Sequence, residues 1–433
     1  MSKIKIKNFG PIKEGYRGAD GNEWMEIKKV TVFIGNNGTG KSTVDKLIST
    51  FTWLEKALYK GYEEKNSIIE EFKDTYCSYF RIWNYFRYNW DPQPKNNEEY
   101  QKWMKSQSIP DSEIHFIGSK FEFHYFENEL KIYPITDNNE YHVPKIMYVP
   151  AERNFISAVE NPEKVKGLPS PLYDFLKEFD RSLQELPDSS LDLPIGNLKL
   201  HYRKQTKTAH IVGGNNSRIK LSEASSGIQS SVPLFVVSRN LALSVGGELD
   251  NSKKTISLEL ENQIRNEIRQ ILENDKLSEE FKKTALEELS AKYVIDCFIN
   301  IVEEPEQNLF PDSQRQMLNR LLQFNNMSEG NKLIMETHSP YIINYLTLAI
   351  EANKLKGKLN TRELKNKLEN IVPLDSTVNP DDVAIYELDE NEGTIKLLSN
   401  YKGLPSDENK LNQNLGYSND LFSELLDIED LCQ

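Results

Sequence analysis

The chain has 433 residues, 38% hydrophobic and 27% charged, a balance that excludes a disordered polymer. Its net charge of −13 argues against a generally basic nucleic-acid binder and leaves a local basic groove open. No run of about 18 uncharged apolar residues occurs, so no membrane span is expected. Three scattered cysteines (Cys77, Cys297, Cys432) exclude a cysteine metal cluster and fit a reducing cytoplasm.

The first residues, "MSKIKIKNFGPI", alternate like a strand and lack the apolar core of a signal peptide. In "KKVTVFIGNNGTGKSTVDKLISTF" (28–51), Val30, Val32, Phe33 and Ile34 predict a short buried strand. Gly35 to Ser42 then fit G-x-x-x-x-G-K-[ST] in full. Glycines at that spacing let backbone N–H groups turn around phosphate oxygens, at the positive end of a helix beginning near Lys41. Lys41 adds a charge for the β- and γ-phosphates, and the Ser42 hydroxyl suits Mg²⁺. Val44, Leu47, Ile48 and Phe51 make the apolar stripe of the helix that follows. Such a chain is expected to bind a nucleoside triphosphate.

Residues 52–145 separate this loop from later motifs. Ile69, Phe72, Tyr76, Tyr79, Trp83, Phe86 and Trp90 recur at steps of three and four, predicting one face of a helix over 68–90. Either that face packs against a lobe or subunit, or its rings, interleaved with Arg81 and Arg87, stack on bases. After the break at 91–100, residues 113–135 alternate as two or three strands. His115, His124 and His142 show no metal-ligand spacing. Around 197–212, Lys199, Arg203, Lys204 and Lys207, with Arg218 beyond, read as a solvated hairpin face or a contact for phosphate backbone.

"SEASSGIQ" (222–229) reads as a helix cap, and its hydroxyls and N–H groups would also form an anion site. Residues 256–292 predict two helices split near Asn274-Asp275. "YVIDCFINIV" (293–302) is apolar like a central parallel strand and ends in Glu303-Glu304-Pro305-Glu306. In a doubly wound sheet this strand would lie beside the phosphate-loop strand. Glu303 would reach the Mg²⁺ shell and Glu304 would act as general base near the γ-phosphate. An acidic loop without catalytic role is the alternative. A helix is expected over 311–324, then a strand over Leu333, Ile334 and Met335 that leads to the turn Thr337-His338-Ser339-Pro340. His338 there either senses the γ-phosphate or makes structural hydrogen bonds. Residues 383–399 read as a hairpin turning at Asn391-Glu392-Gly393, with Glu387 and Asp389 as surface acids, and the tail 418–433 is acidic and amphipathic.

The series "GNNGTGKST", "YVPAERNF", "EASSGIQSSVPL", "EEPEQNLFP" and "THSPYI" resembles the ABC-type ATPase heads of the SMC-like and OLD-like families. Within these it is most similar to bacterial AAA-type ATPases built on an ABC-like head, the ATPase subunits of anti-phage systems such as Septu, the retron-associated ATPases and PARIS. The resemblance implies an α/β P-loop NTPase fold, a mixed sheet flanked by helices, with mainly helical insertions. It implies that "SSGIQ" is the serine-glycine signature, and that Arg153 lies near the nucleotide or a lobe junction. The Toprim nuclease module of OLD proteins has no counterpart after His338, so any cutting is expected to belong to a partner.

The expected organisation is therefore a head whose N-terminal part (1–51) holds the phosphate loop, an aromatic-rich insertion (52–145), and head residues 146–243 with the signature. A helical insertion (244–291) and the C-terminal part of the head (292–433) complete it. ATP and Mg²⁺ are the expected cofactors. Asn36, Asn37, Gly38, Gly40, Lys41, Ser42 and Thr43 would hold the nucleotide, with Ser226 and Gly227 supplied by a second chain. Ser42 and Glu303 would hold the metal, and Glu304 and His338 would serve hydrolysis. The expected partners are a second copy, in a dimer or higher oligomer, and a nuclease or toxin effector encoded nearby. DNA or RNA remains a candidate; a membrane does not. The rival readings are a DNA-repair or recombination ATPase acting on DNA ends, and a self-contained nuclease.

Overall fold

The computed structural model describes residues 2–87, 111–136, 141–214, 217–245 and 295–431, with single positions 269, 272 and 282. The helical insertion expected over 244–291 and the break at 91–100 lie outside the described residues, apart from the ends and those single positions.

The centre is a seven-stranded mixed sheet. From one edge it runs β2 (Gly15–Tyr16), β16 (Thr394–Leu397), β15 (Val383–Leu388), β4 (Val30–Gly35), β14 (Lys332–Thr337), β13 (Cys297–Glu303) and β8 (Pro144–Val149). The five from β15 to β8 are parallel, and only the β15–β16 hairpin runs antiparallel. Parallel strands need both faces covered, and every residue of β4 and β13 is buried. Alternation divides each strand between two cores. Phe298 and Val302 of β13, and Leu333 and Met335 of β14, face one core. Ile299 and Ile301, with Ile334, face the other.

The second core lies under α1 (Lys41–Lys60), whose Val44, Leu47, Ile48, Phe51 and Leu54 are fully buried. Beyond α1 stands an antiparallel five-stranded sheet, ordered β3 (Met25–Ile27), β1 (Ser2–Lys7), β5 (Glu113–Ile117), β6 (Phe121–Phe126) and β7 (Glu129–Pro134). The strands expected over 113–135 are thus three, and the first of them, β5, pairs with the N-terminal strand. On the opposite face of the central sheet pack α2 (Ser170–Gln184), α3 (Ser226–Val245), α4 (Pro311–Asn325) and α5 (Pro340–Lys356). Residues 191–220 form a small antiparallel sheet of β9 (Leu191–Asp192), β10 (Lys199–Arg203), β11 (Thr208–Val212) and β12 (Arg218–Lys220). Among the described residues no helix is long and apolar enough to cross a membrane.

Two expectations are corrected. The continuous helix over 68–90 is broken: a helix over Lys65–Glu71 passes into a π-helical turn at Phe72–Cys77, and Arg81 takes a left-handed backbone (φ 58°). Phe72 and Phe86 enter the core, whereas Trp83 is 55% exposed; Trp90 lies outside the described residues. Packing into a cluster with Phe51 and Tyr125 overrides the regular seam. Second, β13 does not lie beside β4, because β14 is inserted between them.

Candidate functional site

The phosphate loop leaves β4 and enters α1, as strand, glycine turn and helix predict. Gly35, Gly38 and Gly40 all have positive φ (147°, 79° and 102°). A Cβ at Gly35 would stand 2.6 Å from the Leu388 carbonyl oxygen, so the loop root admits no side chain there. At Gly38 nothing lies within 4 Å, and the rim Asn36–Gly38 is open to solvent. Lys41 is buried and its Nζ donates to the Gly35 and Asn36 carbonyls at 3.0 and 2.9 Å, across the mouth of the loop. Burial holds its pKa below the ordinary lysine value, opposed by the charges of Glu336 and Glu304. Asn36 donates to Glu390 (2.7 Å), Thr39 closes the turn onto the Asn36 carbonyl, and Thr43 is buried in the first turn of α1. Asn37 stays exposed on the rim.

Because β14 lies between β4 and β13, the Ser42 hydroxyl meets Glu336, donating within 3.0 and 2.8 Å of its two carboxylate oxygens. Burial, then the charge of Glu303, pushes the Glu336 pKa up to about 8. Glu303 is paired in register with Glu336 one strand further on. Its carboxylate accepts from the Tyr148 hydroxyl and, at 2.8 Å, from the Ala151 N–H; Lys46 Nζ stands 4.0 Å away. Asp45, one turn after Ser42, has no exposed surface and neither oxygen has a hydrogen-bond partner. Its pKa is raised well above the carboxylate range by burial, then by Glu336 and Glu303. Behind Tyr148 lies a cavity of about 410 Å³ walled by Trp53, Tyr76, Tyr79 and Phe80.

Glu304 has a left-handed backbone (φ 45°), a conformation that costs a non-glycine residue about 1–2 kcal/mol. Arg153 holds it there. This arginine is fully buried, and its guanidinium donates to the carbonyls of Glu303 (2.7 Å) and Glu304 (2.6 Å), of Pro150 (3.3 Å), and of Ser230 in α3 (3.2 Å). Burial lowers its pKa to about 10, which still leaves it charged at neutral pH. The Glu304 N–H donates to the Glu336 carbonyl at 3.0 Å, fixing the turn to β14. His338 Nε2 lies 3.9 Å from Glu304 Oε1, and its backbone N–H donates to Glu306 (2.7 Å). Burial, then the Lys41 charge, lowers the imidazole pKa, so it is neutral at neutral pH.

Ser226 opens α3 as expected and is exposed. Gly227 packs on this chain's own turn after β13: a Cβ there would meet the Asn308 carbonyl oxygen at 2.5 Å. Ser230, one turn on, donates to Gln307 (2.9 Å). The structure thus gathers Lys41, Ser42, Glu303, Glu304 and His338 at the carboxyl ends of three neighbouring strands, with Ser226 and Gly227 at the far side of the Glu304 turn. Glu387 and Asp389 do not join them; both engage Lys410 at the base of α6 (Lys410–Leu431). Lys199, Arg203, Lys204, Lys207 and Arg218 are exposed on the small sheet, and Lys199 and Lys204 pair with Asp192 and Asp188.

Sequence reading missed Glu336, Asp45 and Tyr148. For Glu336 the signal was present: in "LIMET" it continues the Ile334 face and ends an apolar strand, as Glu303 does. The donor set of Ser42, Glu336 and Glu303 is all oxygen, which suits a hard cation such as Mg²⁺. Among the described residues, no three or more His, Cys, Asp or Glu side chains are placed to hold a metal alone.

No family model matches the chain, and no curated protein matches it. Among solved structures, it is similar to an SMC head domain from Thermotoga maritima, with 12% identity, 92% of this chain and 98% of that chain covered, and a TM-score of 0.36. An SMC head bound to the C-terminal winged-helix domain of ScpA covers 92% of this chain and 97% of its own, at 10% identity and a TM-score of 0.36. An SMC head with an extended coiled coil, bound to the ScpA C-terminal domain and derived from Pyrococcus furiosus, covers 98% and 100% at 10% identity and a TM-score of 0.34.

Proposed function

We propose that this chain is an ATPase of ABC-like design that hydrolyses ATP in a site shared between two copies. The observation that carries the reading is the convergence of a complete phosphate loop with Glu304, held in strained backbone and faced by a neutral His338. Loop N–H groups and Lys41 bind the triphosphate, and Lys41 must swing from the Gly35 and Asn36 carbonyls to do so. Bound Mg²⁺, held through Ser42 and a strand-end carboxylate, would neutralise charge on the β- and γ-phosphates. Glu304 accepts the proton of the attacking water, and His338 orients that water or the departing γ-phosphate. Ser226 and Gly227 of a second copy close the site over the γ-phosphate, as a helix N-terminus favours an anion.

On this reading the cycle of joining and parting is the output, and it controls an effector protein. The motif series supports an anti-phage ATPase subunit whose effector is a nuclease or toxin; the exposed acidic α6 is a surface on which such a partner could sit. The rival, an ATPase acting directly on DNA ends, has the exposed basic residues of β10–β12 in its favour. Phosphate release from ATP by the purified chain tests the activity. It should require Mg²⁺ and vanish in Lys41→Ala together with nucleotide binding. An unchanged rate in that variant would sink the assignment. Co-purification with the adjacent gene product favours effector control; tight, salt-dependent DNA binding favours the rival.

A further inference from the structure

We infer that Glu336 is the carboxylate that holds the divalent cation with Ser42, and that Glu303 is a positioning residue behind it. This rests on the ATPase reading and names a residue that reading leaves open. The geometry starts from alternation: Glu336 and Glu303 end neighbouring strands on the same face, the one covered by α1. From there Glu336 reaches Ser42, with the hydroxyl within 3.0 Å of both its oxygens. A carboxylate placed symmetrically about the metal-binding hydroxyl is placed for the ion that hydroxyl would share.

Glu303 is differently engaged. Tyr148 donates to one of its oxygens and Ala151 N–H to the other, so each oxygen already has a fixed donor. The extra methylene relative to aspartate carries the carboxylate toward β8 and the start of the Arg153 turn. Its position matches that of groups that orient a metal ligand from behind.

Asp45 supplies an independent observation. It is completely buried one turn along α1, with both oxygens unpartnered, and its strongest charged neighbours are Glu336 and Glu303. Three carboxyl groups thus meet in one buried place, and Glu336 is the one whose two oxygens face the Ser42 hydroxyl. Lys41 Nζ is engaged by the loop carbonyls and Lys46 stands 4.0 Å from Glu303, whereas Glu336 meets the Ser42 hydroxyl.

The test is Mn²⁺ binding to the ATP complex, read by electron paramagnetic resonance, with ATP affinity measured separately in EDTA. Glu336→Gln should weaken Mn²⁺ binding at least tenfold while metal-free ATP affinity stays within about threefold. Glu336→Asp, which keeps the charge, should recover part of the loss and guards against a folding defect in the first variant. Glu303→Gln should weaken Mn²⁺ less than Glu336→Gln. Wild-type Mn²⁺ affinity in Glu336→Gln, with the loss appearing in Glu303→Gln, overturns the assignment and leaves the ATPase reading standing. Failure of the wild-type chain to bind ATP at all removes both.

Discussion

A buried arginine needs a full set of acceptors, and Arg153 finds them in backbone carbonyls. Two of these belong to Glu303 and Glu304, one to Ser230 of α3. The guanidinium therefore does two things with one planar fork. It pins Glu304 in its left-handed turn, and it ties that turn to the helix whose first residues would serve the neighbouring copy. Lysine keeps the charge but lacks the fork. If Glu304 is the base, as proposed, Arg153→Lys should lower kcat at least tenfold with KM changed less than threefold, since the phosphate loop would hold ATP and the base is what moves. Steady-state kinetics on a variant with wild-type circular dichroism would check this, and an unchanged kcat would mean that the turn holds itself. The motif "YVPAERN" marked Arg153 as a junction residue, but its partners are carbonyls, which no side-chain pattern announces.

At the level of elements, α1 is the hinge of the design. Its first turn carries Lys41, Ser42 and Asp45, and its far half carries Glu55, which is 2% exposed. Glu55 accepts from the N–H groups of Ser119, Lys120 and Phe121 at 2.6, 2.7 and 3.3 Å, so the phosphate-loop helix caps the β5–β6 turn. Burial raises its pKa, and the three N–H groups oppose that. Glu55→Ala would leave these donors without their carboxylate and should cost about 3 kcal/mol of stability in urea unfolding. A loss below about 0.5 kcal/mol would show that water replaces the carboxylate and the turn is not held by α1. Regular elements were the legible part of this layer: β4, the start of α1, the serine-opened α3, β13 and the β15–β16 hairpin all follow apolar runs and turn residues. The 68–90 stripe was misleading because aromatic rings pack into a core from a π-turn and a loop as well as from a helix face. Strand order was beyond periodicity altogether. Inserting β14 between β4 and β13 depends on contacts distant in sequence, and it is this insertion that exchanges Glu303 for Glu336 as the neighbour of Ser42.

For the whole molecule, the two cores give the central sheet two differently covered faces. The face under α1 holds the carboxylates and the phosphate loop. The opposite face carries α3, whose exposed Ser226 lies beyond the Glu304 turn. On the proposed function a single copy presents half of two sites, one at the loop and one at the start of α3. On the proposed function, ATP is the bond between copies and water attack is what breaks it. Replacing the base while keeping its shape separates these two events. The measurement is the mass of Glu304→Gln in solution, by light scattering on a sizing column, with Mg²⁺ and with or without ATP. The account predicts a monomer without ATP, a stable dimer with it, and phosphate release at least a hundredfold below wild type. A Glu304→Gln chain that stays monomeric with ATP, or that hydrolyses it at the wild-type rate, would contradict the shared site and the role of Glu304.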